Sequence, residues 1–254
     1  MKSNLVLALG SVLALLPALA RAAGASAGSG AARPFAVVEL FTSEGCSSCP
    51  AADRFLAKLV AESRQSTGAI YPLAFHVDYW DRLGWKDRFS DPAYSQRQNE
   101  YVQALGLDSA YTPQMIVNGK EEFIGSDESR ARRSIATALE RPPALTLELT
   151  AGAISDGVLP VDFAVSGSSR AVLRLAVVER NLESQVSRGE NSGRKLTHEN
   201  VVRVFQSVPV GPTRKGHASI SLPASLVTSH ASLIAYAQDP VSLEILGAAA
   251  VDLP

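Results

Sequence analysis

Cysteine is scarce. The 254-residue chain holds two, Cys46 and Cys49. A fold stapled by several disulfides is excluded, which leaves the pair for chemistry more than for stability. Unbalanced charge is also lacking: 24 Lys and Arg stand against 25 Asp and Glu, a formal net charge of −1. No strong electrostatic attraction to nucleic acid or an anionic membrane follows. Tryptophan occurs only at positions 80 and 85. A membrane-length apolar run is missing too, since a span needs about 20 residues and the best run is Leu5 to Leu16. Lys2 precedes that run, and Ala18-Leu19-Ala20 and Ala20-Arg21-Ala22 follow it. Residues 1–22 therefore read as a secretory signal, with an uncleaved anchor as the alternative. No cysteine lies near the cleavage site for lipid attachment. The Gly/Ala/Ser-rich residues 23–34 read as a flexible lead-in. The remaining chain is long enough for one large domain or two small ones.

What the chain does have is the stretch 35–50, F-A-V-V-E-L-F-T-S-E-G-C-S-S-C-P. Phe35 to Phe41 predicts a buried strand, and the small polar residues 42–45 a turn. Phe55, Leu56, Leu59 and Val60 recur at helical spacing downstream. The order strand, turn, Cys-x-x-Cys, helix marks a redox motif. A cysteine at a helix N-terminus faces unpaired N–H groups and the positive end of the helix dipole. Such thiols fall from about 8.5 into a range of roughly 3.5–7.5. Cys46, the outer residue, is expected to attack, and Cys49 to resolve the mixed disulfide. The plainer reading is a structural disulfide or two buried thiols, although so short a loop gains little chain-entropy stabilisation.

Ile70 to Val77 predicts a second strand, running into H-V-D-Y-W-D-R-L-G-W-K-D. His76 and Asp78 are two apart and would share a strand face. Two readings stand there: a working surface, or a satisfied core histidine with aromatics filling a groove. Asp91-Pro92 opens a helix that Gly106 ends. Tyr111-Thr112-Pro113 leads a strand, Gln114 to Val117, and Asn118-Gly119 turns it back as Glu121 to Ile124. Ser126 is expected to cap a last helix, ended by Pro142-Pro143.

This order resembles the thioredoxin superfamily over residues 35–141. The resemblance implies that Pro113 is cis and sits against the reactive cysteine. It also implies that Thr112-Pro113 presents backbone to an extended substrate. A closer likeness comes from V-E-L-F-T-S-E-G-C-S-S-C-P, F-H-V-D-Y-W-D, L-G-W-K-D, Y-T-P-Q-M-I-V-N-G and G-R-K-L-T-H-E-N-V-V-R. These resemble an exported bacterial family of thioredoxin-like proteins catalogued as domain of unknown function number 1223. The chain departs from thioredoxins at one position. The buried acid six residues before the first cysteine is Leu40 here, and Glu39 should face the other way. His76 or Glu44 then become candidates for proton transfer.

Residues 144–254 change character. Apolar or alternating runs at 145–149, 159–165, 172–178, 201–205, 218–222, 233–237 and 245–251 predict seven short strands. An antiparallel β-sandwich follows, bounded at Pro142-Pro143. Between two of these strands lies the polar insertion S-R-G-E-N-S-G-R-K-L-T-H-E-N. It reads as a solvated loop, or as an anion-binding nest at Gly189 and Gly193 beside Arg188, Arg194 and Lys195. His198 is a candidate to meet the first half across the interface.

The expected fold class is α/β: a thioredoxin-like domain followed by an antiparallel β-sandwich. The expected function is thiol–disulfide exchange with an extracytoplasmic protein in the periplasm or outside the cell. Cys46, Cys49 and Pro113 would form the catalytic set, with Thr112 and Trp80 binding substrate. His76, Asp78 and Glu44 would serve proton transfer. No organic cofactor is implied. A different reading is copper binding through Cys46, Cys49 and His76, whose thiolates and imidazole suit that metal. A third is a redox-silent interaction module.

Overall fold

The computed structural model describes residues 25–26, 33–65, 70–167 and 170–254. The expected secretory signal lies outside these residues. Of the lead-in only 25–26 and 33–34 fall within them.

The fold is mixed α/β with mostly sheet. Strand β2 (Ala36–Thr42) is buried at all seven positions. A strand covered on both faces needs such an unbroken run of small, β-branched and aromatic residues. It pairs parallel with β3 (Ile70–His76) and antiparallel with β4 (Gln114–Val117). Strand β5 (Glu121–Ile124) closes that edge. The β4–β5 turn is at Asn118-Gly119, where both φ values are positive, 49° and 68°. That is the backbone an Asn-Gly hairpin turn supplies. A Cβ on Gly119 would stand 1.9 Å from the Leu243 carbonyl oxygen, so the turn also needs glycine for clearance.

Period-two alternation along β2 sorts its side chains. Val38 and Leu40 join Phe55, Leu56 and Leu59 of α1 (Cys49–Gln65) and Ile135 of α3 (Glu128–Leu139) in one core. Val37 and Phe41 face the other way, onto Tyr94 and Tyr101 of α2 (Pro92–Leu105). Helix α2 starts and stops where its sequence directs. Asp91 accepts from the Ala93 amide, proline follows at the first helical position, and Gly106 takes the left-handed conformation at φ 65°. For α3 the cap is Asp127, which accepts from Arg130 N, and not Ser126.

All seven strands expected after residue 144 form. They are β6 (Thr146–Ala151), β7 (Val158–Ser166), β8 (Val172–Glu179), β11 (Val201–Pro209), β12 (Lys215–Ser221), β13 (Ala231–Gln238) and β14 (Ile245–Asp252). They divide between two sheets. With β1 (Ala25–Ser26), a four-stranded sheet has the order β1-β6-β7-β12. The other four strands extend the first sheet, giving the eight-stranded order β14-β13-β8-β11-β3-β2-β4-β5. Antiparallel pairs dominate it, and the join between halves is the parallel β11–β3 contact at Val201 and Ala74. The α/β stretch over 35–141 and the strands after 144 thus share one sheet across Pro142-Pro143.

That continuity follows from burial. Alternate residues of β8 and β13, such as Leu173, Leu175, Leu233 and Ala235, pack on Leu149, Leu159 and Val161 of the smaller sheet. The intervening Val178, Ile234 and Tyr236 pack in the α2 core. All eight residues of β13 are buried. Their apolar run is that of a central strand, not of a sandwich strand with one wet face.

The polar insertion, expected as a loop, contains a hairpin. Strands β9 (Leu182–Gln185) and β10 (Lys195–His198) pair only with each other.

Candidate active site

Strand β2 ends at Thr42, and Ser43 to Ser48 turn the chain into α1. The Cys46 amide donates to the Ser43 carbonyl and the Cys49 amide to that of Cys46, each at 3.2 Å. Cys46 and Cys49 form a disulfide, with Cα atoms 5.4 Å apart. Two expectations need correction. Helix α1 opens at Cys49, so Cys46 belongs to the preceding turn rather than to the helix. Nor is Cys46 an open outer sulfur, since both cysteines are 0% exposed. Ser48 Oγ stands 3.3 Å from Cys46 Sγ.

Three elements surround the disulfide. On one side is Trp80. A Cβ on Gly45 would lie 3.2 Å from the Trp80 Cβ, so the tryptophan rests against the residue before Cys46. Its indole Nε1 donates to Thr112 Oγ1 at 2.8 Å. The Thr112–Pro113 bond is cis. Trp80 therefore ties the cysteine turn to the cis-proline loop.

Above lies the tip of the β9–β10 hairpin. Asn191 is fully buried. Its Nδ2 donates to the carbonyls of Glu44, at 2.8 Å, and Cys46, at 2.9 Å. The Ser47 amide donates to Glu190 Oε2 at 3.0 Å. Glu190 thereby takes one of the unpaired amides before the helix, and Ser47 holds its carboxyl below the usual carboxylate range. Three amides of the expected nest are already taken. The Ser192, Gly193 and Arg194 amides donate to Gly189, Val186 and Asn191 carbonyls and none is open to an anion.

Below lies a buried ionic cluster. His76 Nδ1 and Asp87 Oδ2 are 2.6 Å apart, both side chains fully buried. Burial works against charge on each, yet each favours the other's ionised form. The result is a His76 pKa raised and an Asp87 pKa lowered from their ordinary values. Asp87 Oδ2 also accepts from the Glu44 amide at 2.9 Å. Glu44 Oε2 accepts from Trp85 Nε1 at 2.7 Å. Its Oε1 approaches His198 Nε2 to 3.3 Å, without hydrogen-bond alignment. Burial pushes the Glu44 carboxyl up, but the contact with His198 and the Trp85 hydrogen bond hold it below its usual value. The rings of His76 and His198 cross edge-on, 5.0 Å between centroids. Asp53, one turn beyond Cys49, accepts from Thr42 Oγ1 at 2.8 Å. Burial raises its pKa against the pull of His198 and His76.

The sequence placed His76 and Glu44 near the cysteines, and they occupy one cluster. Asp78 is not His76's partner. Strand β3 ends at His76, so the strand-face argument fails one residue later, and Asp78 instead accepts from Ser95 Oγ. The copper set does not assemble. Among the described residues no three His, Cys, Asp or Glu side chains are arranged to hold a metal ion. Glu39 faces away from the cysteines, onto Arg97. Sequence reasoning missed Asp53, Asp87, Glu190 and Asn191. Asp53 had a signal, as a carboxylate among Ala52, Phe55 and Leu56 on the buried side of α1. The other three are joined to the site only by tertiary contacts.

Fold and site together define a mixed α/β protein carrying a covered Cys-x-x-Cys disulfide. The chain belongs to the family described as "Protein of unknown function (DUF1223)", whose model matches residues 37–238. It is similar to an Agrobacterium tumefaciens protein of known crystal structure, at 27% identity and a TM-score of 0.65, covering 88% of this chain and 96% of that one. A domain of the outer membrane lipoprotein Omp28 from Porphyromonas gingivalis aligns at 11% identity and a TM-score of 0.28, covering 43% of this chain and 95% of that one. No curated protein matches. Among the described residues no helix is long and apolar enough to cross a membrane.

Proposed function

We propose that this chain is an exported thiol–disulfide oxidoreductase whose partner is an extracytoplasmic protein. On this reading residues 35–141 are a thioredoxin-like unit onto which a sandwich of later strands has been built. The observation that carries it is the Cys46–Cys49 disulfide at a strand-to-helix turn, tied by Trp80 to a cis Thr112–Pro113 bond. A structural staple does not call for that combination. In the reducing direction Cys46 attacks a substrate disulfide and Cys49 resolves the mixed disulfide; in the oxidising direction a substrate thiolate attacks Cys46, Cys49 leaves, and a second substrate thiol displaces Cys46. Thr112 and Trp80 hold an extended partner strand beside them. His76 and Glu44 lie in the ionic cluster next to the cysteine turn, where they are placed to buffer the proton of the leaving thiol. No organic cofactor takes part; another protein's dithiol gives the electrons, or another protein's disulfide takes them. The case for export rests on residues 1–22 of the sequence.

The test is exchange with a reduced, unfolded secretory protein as substrate. Wild type in its disulfide form should oxidise that substrate. Cys46→Ser should abolish the reaction. Given the same substrate in its disulfide form, Cys49→Ser should attack it through Cys46, release one substrate thiolate and accumulate the mixed disulfide, seen as a mass increase equal to the substrate. Equal activity of wild type and Cys46→Ser would sink the proposal.

A further inference from the structure

We infer that the tip of the β9–β10 hairpin is a gate over the disulfide, latched by Asn191 and Glu190, and that it must lift before a thiol reaches Cys46. This deepens the exchange reading by adding regulation of the same site.

Both sulfurs belong to fully buried residues, yet the motif sits at a chain turn where a partner would arrive. Attack on a disulfide needs a thiolate in line with the S–S bond, so access is a condition of reaction. The tip is the cover. From Ser187 to Lys195 every residue is exposed except Asn191, which is completely buried. A single buried amide in an exposed loop is a plug. Both its donor bonds go to carbonyls of the cysteine turn, at Glu44 and Cys46. Its side-chain oxygen accepts from Arg194 at 3.0 Å, which braces the plug from within the loop. Glu190 adds the bond from the Ser47 amide.

The same structure lets the tip move. β9 and β10 belong to neither large sheet, and an isolated two-stranded ribbon is marginally stable in water. Its base is held by buried Val186, Leu196 and His198. The tip is held to the cysteine turn by the three bonds from Asn191 and Ser47. Gly189 and Gly193 flank the plug at φ 74° and 81°, a conformation open to glycine at little cost. Lifting the tip exposes the disulfide without disturbing a sheet ladder.

The probe is dithiothreitol. One thiolate attacks Cys46 Sγ, the Cys46–Cys49 bond breaks, and Cys49 leaves as thiolate, later taking a proton from solvent. The second dithiothreitol thiol then displaces Cys46 and closes the oxidised ring. The rate of reduction of the native protein, read by alkylation and intact mass, should level off as dithiothreitol rises, because opening becomes limiting. Asn191→Ala should raise the plateau about tenfold or more, since three hydrogen bonds become one. Glu190→Ala should raise it less. Arg188→Ala, in the same exposed tip but outside the latch, should leave it unmoved. A wild-type rate proportional to dithiothreitol throughout overturns the gate, and this needs no variant to fold. A plateau that Asn191→Ala does not move overturns the latch. Because the probe is a small thiol, these outcomes are independent of whether a protein substrate is ever oxidised.

Discussion

Arg97→Met should destabilise the folded chain by about 3–5 kcal/mol, the usual cost of removing one partner from a buried ion pair. Arg97 and Glu39 are 2.7 Å apart at side-chain exposures of 3% and 0%. Methionine fills much of the volume, so the loss reports the charge. Glu39 also accepts from the hydroxyls of Tyr101 and Tyr236, the latter at 2.9 Å. Arg97 reaches Gln238 at 3.4 Å and lies over the ring of Phe205, 4.8 Å from its centroid. The cluster therefore joins β2 and α2 to β11 and β13, fastening the two halves of the eight-stranded sheet beside their parallel seam. Urea melts of wild type, Arg97→Met, Glu39→Gln and the double variant give the test. The double variant should recover part of the loss, because no uncompensated charge remains. A loss below about 1 kcal/mol for Arg97→Met would show that the cluster behaves like an exposed pair.

This cluster also marks where the sequence stopped being readable. Local signals were reliable. Cys-x-x-Cys after an apolar run, Asp91-Pro92 to Gly106, and Asn118-Gly119 each form what their backbone chemistry demands. Strand positions after residue 144 were legible from alternation, whereas their partners were not. Nothing in a run such as Val172 to Val178 says whether it joins a second sheet or extends the first. The long apolar run of β13 held a hint of two-sided burial. The site divides the same way. Cys46, Cys49, Pro113 and Glu44 lie in motifs that advertise themselves. Asp87 and Asn191 reach the cysteine turn from 43 and 147 residues away, measured to Glu44. No periodicity links residues so far apart. The exposed attacking sulfur was expected because the turn was read alone, and the hairpin that covers it was read as solvated polarity.

The two buried clusters have different duties. Glu39 and Arg97 hold sheet to helix on the face away from the cysteines. His76 and Asp87 hold the cysteine turn itself, since Asp87 binds both the His76 ring and the Glu44 amide. A turn fixed from below by Asp87, from the side by Trp80 and from above by Asn191 presents its disulfide in one orientation. On the exchange reading proposed above, such preorganisation limits the site to partners that arrive along one direction.

Asp87→Asn should cost about 3–5 kcal/mol near pH 6, again by leaving a buried partner uncompensated. It should also change how stability depends on pH. The folded pKa of His76 is raised, so its contribution is fully present below an unfolded value of about 6.5 and is lost as pH rises through the folded value. That of Asp87 is lowered, so its contribution is present above about 3.9 and is lost as pH falls through the folded value. The pair therefore stabilises most between about pH 4 and 6.5. Asp53 adds a slope of its own. Burial raises its folded pKa, so the folded chain binds its proton more tightly and loses stability as pH rises above about 3.9. Asp53 and Glu44 remain in the variant and still draw the His76 charge, and His198 still faces both carboxylates. The difference between wild type and Asp87→Asn should accordingly be greatest near pH 5–6. It should narrow on the alkaline side once His76 is neutral in both proteins. Urea midpoints at a series of pH values measure it. A difference that stays constant from acid to alkaline pH would mean that Asp87 acts only as a hydrogen-bond acceptor for the Glu44 and Phe89 amides, with no ionic partnership to His76.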